Sequence, residues 1–272
     1  MSRMVTSDGI RIHYTEWGNH EGPTVLFLHG LGADNLGWFR QRHAFGRDYR
    51  CVAVDNRGSG QSEKPPGPYH LDRLALDAVE VLDELDIESA HVIGASMGGA
   101  LSQIIAVAFP DRVLSLTLAC TACELGWRDE LFDDWENLIR TQGMRAFSVK
   151  NFEWIFGPRS VRRLWPVAAV LGPFMLRAPQ EAFLSQIGAI RHFSAGGSDD
   201  LGEIKAPTLV ITGSQDLLTP VADAEEIAAR IPQSELVVVR GAAHGFMVEG
   251  ARHFNRVVLE FIERQAAVNA PA

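Results

Sequence analysis

The sequence predicts an α/β fold built on a mostly parallel sheet. Short runs of apolar, β-branched residues alternate with segments of helical periodicity. Those runs are apolar without interruption, as strands buried on both faces are. With 272 residues, 46% hydrophobic and 22% charged, the chain has the composition and length of one large domain carrying an insertion.

Met4–Thr6 and Ile10–Trp17 read as strands, and Ser7-Asp8-Gly9 between them is a hairpin signal. Thr24–Leu28, Arg50–Val54 and Ala90–Ile93 follow as apolar strands, then Ser115–Ala119, Thr208–Thr212 and Glu235–Val239. From His70 to Ile87, Leu71, Leu74, Ala78, Leu82 and Leu85 recur at helical spacing, while Asp72, Asp77, Glu80, Asp83 and Glu84 take much of the other face. Met97–Phe109 is a small-residue helix stopped by Pro110, and Ala222–Arg230 and Arg252–Arg264 read as helices too. Glu124–Glu203 breaks the rhythm: 80 residues without a clear strand, holding 11 of the 23 aromatics. It is too long and too apolar for a loop and reads as a helical insertion over the sheet, a second small core, a lid on a pocket, or both. The domain reading is a core of residues 1–123 and 204–272 with a cap at 124–203.

A net charge of -9 disfavours general binding to nucleic acid or anionic membrane. Three cysteines make no disulfide framework, and Cys120-x-x-Cys123 has no second ligand pair beside it, so no metal is expected. Met1–Gly9 has no signal-peptide h-region, and no apolar run reaches the roughly 18 residues of a membrane span. The expectation is a soluble, cytoplasmic protein, with monomer and homo-oligomer both open.

The strongest chemical signal is Gly94-Ala95-Ser96-Met97-Gly98, a G-x-S-x-G between a strand and a helix. A serine raised on so tight a turn needs glycine two before and two after it, because side chains there would collide. Serine is a weak nucleophile and needs a base. His244, in Gly241-Ala242-Ala243-His244-Gly245, follows the last strand and is the candidate. Asp216, in the loop after Thr208–Thr212, is the candidate to orient it; Glu124, after the preceding strand, is the rival acid. Acyl transfer also needs oxyanion donors, here the backbone N–H groups of Met97 and of Leu31 in His29-Gly30-Leu31-Gly32. Trp38 walls either the pocket or the core. Trp127, Trp154 and His192, all in the insertion, are the other candidate substrate contacts.

These motifs, together with Asp55-Asn56-Arg57-Gly58-Ser59-Gly60-Gln61-Ser62, resemble the α/β-hydrolase superfamily over nearly the whole chain outside the insertion. The resemblance implies an eight-stranded sheet flanked by helices, with a helical cap after the sixth strand, and a structural role for the Asp55–Ser62 turn. Serine at 96 disfavours the haloalkane dehalogenase and epoxide hydrolase branches, whose nucleophile is Asp. The chain most resembles small-cap carboxylesterases, 3-oxoadipate-type enol-lactonases and cofactor-free haloperoxidase-like hydrolases. The insertion carries nine Arg or Lys against eleven acids, which shows no cationic clamp and favours an uncharged ester or lactone. The leading reading is a cofactor-free serine hydrolase of small, largely apolar esters or lactones. A carbon–carbon bond hydrolase of ring-cleavage diketones and a slow-turnover ligand sensor are the alternatives.

Overall fold

The computed structural model describes residues 2–124, 128–162, 176–193 and 200–268. Eight strands form one sheet: β1 (Ser2–Val5), β2 (Arg11–Gly18), β3 (Thr24–Leu28), β4 (Arg50–Val54), β5 (Ala90–Ala95), β6 (Val113–Ala119), β7 (Thr208–Gly213) and β8 (Ser234–Val239). Their order is β1-β2-β4-β3-β5-β6-β7-β8. The β1–β2 and β2–β4 pairings are antiparallel, and every pairing from β4 to β8 is parallel. The helices are α1 (Arg42–Phe45), α2 (Leu71–Glu84), α3 (Met97–Ala108), α4 (Asp129–Lys150), α5 (Phe152–Ile155), α6 (Gln180–Arg191), α7 (Val221–Arg230), α8 (Phe246–Glu249) and α9 (Ala251–Val268). None of the helices of the described residues is long and apolar enough to cross a membrane.

The period-2 alternation of β3 divides the core. Leu26 and Leu28 join one apolar cluster with Leu74, Leu82 and Leu101 from α2 and α3. Val25 and Phe27 join another with Trp38, Phe45, Phe254 and Phe261. Both faces are therefore covered, which is why the central strands are uniformly apolar. The edge strand β8 departs from that pattern: Leu236 and Val238 are 37% and 42% exposed, because cover is incomplete where the sheet ends.

Between β6 and β7, α4 and α6 pack their apolar faces onto the first cluster rather than into a separate one. Phe132, Trp135, Phe147 and Phe183 form a chain of edge-to-face contacts with centroids 5.9, 5.4 and 5.2 Å apart. Helix α4 is two segments joined at Gly143, whose φ of 82° interrupts it.

One sequence expectation needs correction here. Asp77 lies on the polar side of the α2 pattern but is buried. The Arg57 guanidinium grips its carboxylate with two bonds of 2.7 Å, and Arg73 adds one of 2.8 Å. Arg57 also bonds Asp8 at 3.0 Å, so the Asp55–Ser62 turn ties the first hairpin to α2. Arg57 side-chain exposure is 8% and that of Asp77 1%, so removing Asp77 leaves a buried guanidinium with the exposed Asp8 as its remaining carboxylate partner. Asp77→Ala is expected to cost about 3–5 kcal/mol. Removing Glu63 from its exposed pair with Arg11 should cost at most about 1 kcal/mol. Urea midpoints of the two variants test this, and equal midpoints would refute the ranking.

Candidate active site

The parallel strands β3, β5, β6, β7 and β8 all end on the same edge of the sheet, where α/β folds place ligands. The loops leaving that edge carry Leu31, Ser96, Cys120, Asp216 and His244.

Ser96 stands between β5 and α3 with φ 54° and ψ -122°, a conformation that L residues adopt only under constraint. The constraint is visible on both sides. Ser96 N donates to Ala119 O at 3.0 Å, and Thr121 Oγ1 donates to Ser96 O at 2.9 Å. The flanking glycines are required by contact: a Cβ on Gly94 would lie 2.2 Å from Gly98 O, and one on Gly98 would lie 2.1 Å from Leu28 O. The turn therefore sits directly on the end of β3. The loop after β3 approaches Ser96 closely as well, since a Cβ on Gly30 would come within 3.2 Å of Ser96 Cβ.

His244 and Asp216 are both buried, and His244 Nδ1 bonds Asp216 Oδ2 at 2.8 Å. The carboxylate is saturated: Leu218 N and Thr219 N each donate to Oδ1 at 2.9 Å, and Thr219 Oγ1 donates to Oδ2 at 2.8 Å. Burial pushes the Asp216 carboxyl up, but the His244 ring and the Thr219 donors outweigh it and hold the group below its ordinary range. The rival acid Glu124 is exposed, and its position leaves it out of this constellation.

Ser96 and His244 open onto one cavity of about 460 Å³, with Leu31, Met97, Trp38 and Trp154 also on its wall. Trp38 is both wall and core, at 2% exposure and with its ring tilted against Phe27 at 5.1 Å between centroids. The 124–203 segment adds a run of aromatic side chains to the lining: Phe132, Trp135, Phe147, Phe152 and Phe156. Trp127 falls outside the described residues. His192 does not reach this cavity; it lines a separate cleft of about 770 Å³ with Tyr69, Gln103 and Arg140. Its place at the C-terminal end of α6 turns it away from Ser96, an orientation that spacing alone did not reveal.

Several groups escaped the sequence reading. Thr219 braces Asp216 and lies 3.3 Å from His244 Nδ1; its only signal was its place before Pro220 in the acid's loop. Arg128 and Arg177 reach the cavity wall, where Arg128 pairs with Asp223 and Arg177 with Asp34. His13, for which the sequence offered no partner, bonds Asp55 at 2.9 Å in the buried turn. Ligand atoms of Cys120, Asp216 and His244 lie within 4.8 Å of one another. Burial and the Asp216 charge push the Cys120 thiol well up, and the other two groups are already bonded to each other. The donor set thus suits a hydrogen-bond cluster better than a cation.

Residues 23–152 match the family model described as alpha/beta hydrolase fold, and residues 193–268 match one described as TAP-like protein. The chain is 31% identical to 3-oxoadipate enol-lactonase 2 of Acinetobacter baylyi over 96% of each protein. The chain belongs to the α/β-hydrolase family. Among solved α/β-hydrolases it is 32% identical to a hydrolase from Pseudomonas aeruginosa PA01, with a TM-score of 0.88 over 96% of this chain and 97% of that one. It is 28% identical to the enol-lactonase from Burkholderia xenovorans LB400, with a TM-score of 0.89 over 96% and 100%. The eight-stranded, mostly parallel sheet flanked by helices is the α/β-hydrolase architecture.

Proposed function

We propose that this α/β-hydrolase is a cytoplasmic serine hydrolase of carboxylic esters or lactones with a largely apolar acyl part. The observation that carries the reading is the strained Ser96 turn sharing one cavity with a His244 that is bonded to a buried, ionised Asp216. Asp216 holds Nδ1, leaving Nε2 as the ring nitrogen able to accept the Ser96 proton. Ser96 Oγ then adds to the substrate carbonyl carbon. The N–H groups of Met97, at the head of α3, and of Leu31 receive the developing oxyanion. His244 returns the proton to the leaving alkoxide as the C–O bond breaks. Water attacks the acyl-enzyme by the same path, releasing the acid and restoring Ser96.

The aromatic wall supports an apolar acyl group, and the 124–203 segment that supplies it is proposed as the lid. The two guanidinium groups that the described residues place on the wall are each paired with a carboxylate, which supports an uncharged substrate over one needing a cationic clamp. The relative named as an enol-lactonase makes lactones a natural second panel.

The test is turnover on p-nitrophenyl esters of increasing chain length and on simple lactones, with fluorophosphonate labelling mapped by mass spectrometry. The expected result is turnover of about 1 per second or faster on the preferred ester, with label on Ser96. Absence of both turnover and label would overturn the proposal. Label without ester or lactone turnover would move the chemistry to another substrate class.

A further inference from the structure

Gln186 lies in the middle of α6, in the segment proposed as lid, and has no exposure at all. A buried amide is costly unless it is hydrogen-bonded, and an apolar side chain of similar size would leave the groups it bonds without those partners. Every bond this side chain makes leaves the helix for the loops around Ser96. Its Oε1 accepts from Gly32 N at 3.0 Å, and its Nε2 donates to Arg57 O at 2.9 Å and Ser59 Oγ at 3.1 Å.

Gly32 follows Leu31, and the same segment holds it from two more directions and its neighbour Asp34 from a third. Arg177 N donates to Gly32 O at 2.7 Å, and Arg177 Nε bonds Asp34 Oδ2 at 3.0 Å. The Phe183 ring packs so closely on Gly32 that a Cβ there would lie 2.4 Å from it. Gly32 has a φ of +67°, so the turn after Leu31 has a conformation few residues would hold unaided. The N–H and C=O of the residue that follows the second oxyanion donor are thus both fixed from outside the sheet domain.

We propose that Gln186 is a positioning residue: it locks the Leu31–Gly32 peptide, and through the Leu31 backbone torsions this fixes the adjoining Gly30–Leu31 peptide whose N–H serves the oxyanion, making the α6 segment part of the catalytic apparatus as well as its cover. This rests on the serine-hydrolase reading above. An oxyanion donor acts on the transition state far more than on bound substrate. Its displacement should therefore appear in kcat and leave KM nearly alone.

The experiment compares wild type with Gln186→Leu and Gln186→Glu on a p-nitrophenyl ester. It adds inhibition by an alkylboronic acid, whose tetrahedral adduct on Ser96 fills the oxyanion site, and by the matching unreactive alkyl amide. For Gln186→Leu, kcat is expected to fall about 10- to 100-fold with KM within about twofold. Boronic acid affinity should fall by a similar factor, and amide affinity should hold. Gln186→Glu keeps an acceptor for Gly32 N–H and should retain clearly more kcat than Gln186→Leu. If Gln186→Leu does not fold, Gln186→Met, which also removes the acceptor, takes its place. Unchanged kcat and boronic acid affinity would overturn the proposal. So would parallel losses in amide binding and KM, which mark a collapsed cavity. Failure of the serine-hydrolase reading is separately visible, as wild type without Ser96 labelling.

Discussion

Ser96→Ala is expected to lower kcat on the preferred ester by about 10⁵- to 10⁶-fold and to abolish fluorophosphonate labelling. The reason lies in how the turn is built. Among the described residues, Ser96 alone on this edge combines a hydroxyl with a backbone held at φ 54° between the end of β5 and the head of α3. Alanine carries the same backbone penalty as serine at that φ, and the contacts that impose the turn are backbone contacts of Gly94, Gly98 and Ala119. The fold should therefore persist, with a urea midpoint close to wild type. What remains after the substitution is the oxyanion site and the cavity, which can still orient water weakly. Retention of more than about a hundredth of wild-type kcat in homogeneous protein would place the nucleophile elsewhere.

Asp216→Asn should lower kcat by about 10⁴-fold while leaving the architecture in place. Asp216 Oδ1 accepts from Leu218 N and Thr219 N, a demand that an asparagine carbonyl oxygen can meet. That choice turns the amide NH₂ toward His244 Nδ1 and Thr219 Oγ1, where Oδ2 now accepts. The ring must then offer Nδ1 as an acceptor and carry its proton on Nε2, facing the serine, which is the wrong tautomer for a base. The imidazolium formed during turnover also loses its buried counter-charge. The loss should fall on kcat, with KM for the ester little altered, since Asp216 lies behind His244 and off the cavity wall. A modest loss, below about tenfold, would mean that the orienting role belongs to another group. Thr219 is the neighbour to try next, being bonded to Asp216 and 3.3 Å from the ring.

The reach of the sequence reading follows the range of the forces behind each feature. The strands were legible because an alternating backbone buried on both faces demands apolar residues at every position. The Ser96 turn was legible because its steric requirements act within two residues on either side, and glycine at 94 and 98 is their direct record. The order Ser96, Asp216, His244 could be placed because each follows a strand end, and parallel strands deliver their ends to one edge. His29 braces the loop after β3, with Nδ1 bonding Gly30 O and Nε2 accepting from Asn56 N.

Features that depend on side chains meeting from distant parts of the chain were not legible. Asp77 sits on the polar side of a helical repeat, and only the packing of the Asp55–Ser62 turn against α2 turns that position into a buried ion pair. His192 belongs to an aromatic-rich insertion, yet the direction in which α6 ends sends it to another cleft. Gln186 carries no local mark at all; its three bonds reach residues 127 to 154 positions away. Local sterics and periodicity write themselves into neighbouring residues, so one strand, one helix or one tight turn can be recognised from a few letters. Which face of an inserted helix meets which loop is settled by the packing of the whole domain, where hydrogen bonds and dispersion contacts find their partners regardless of separation along the chain.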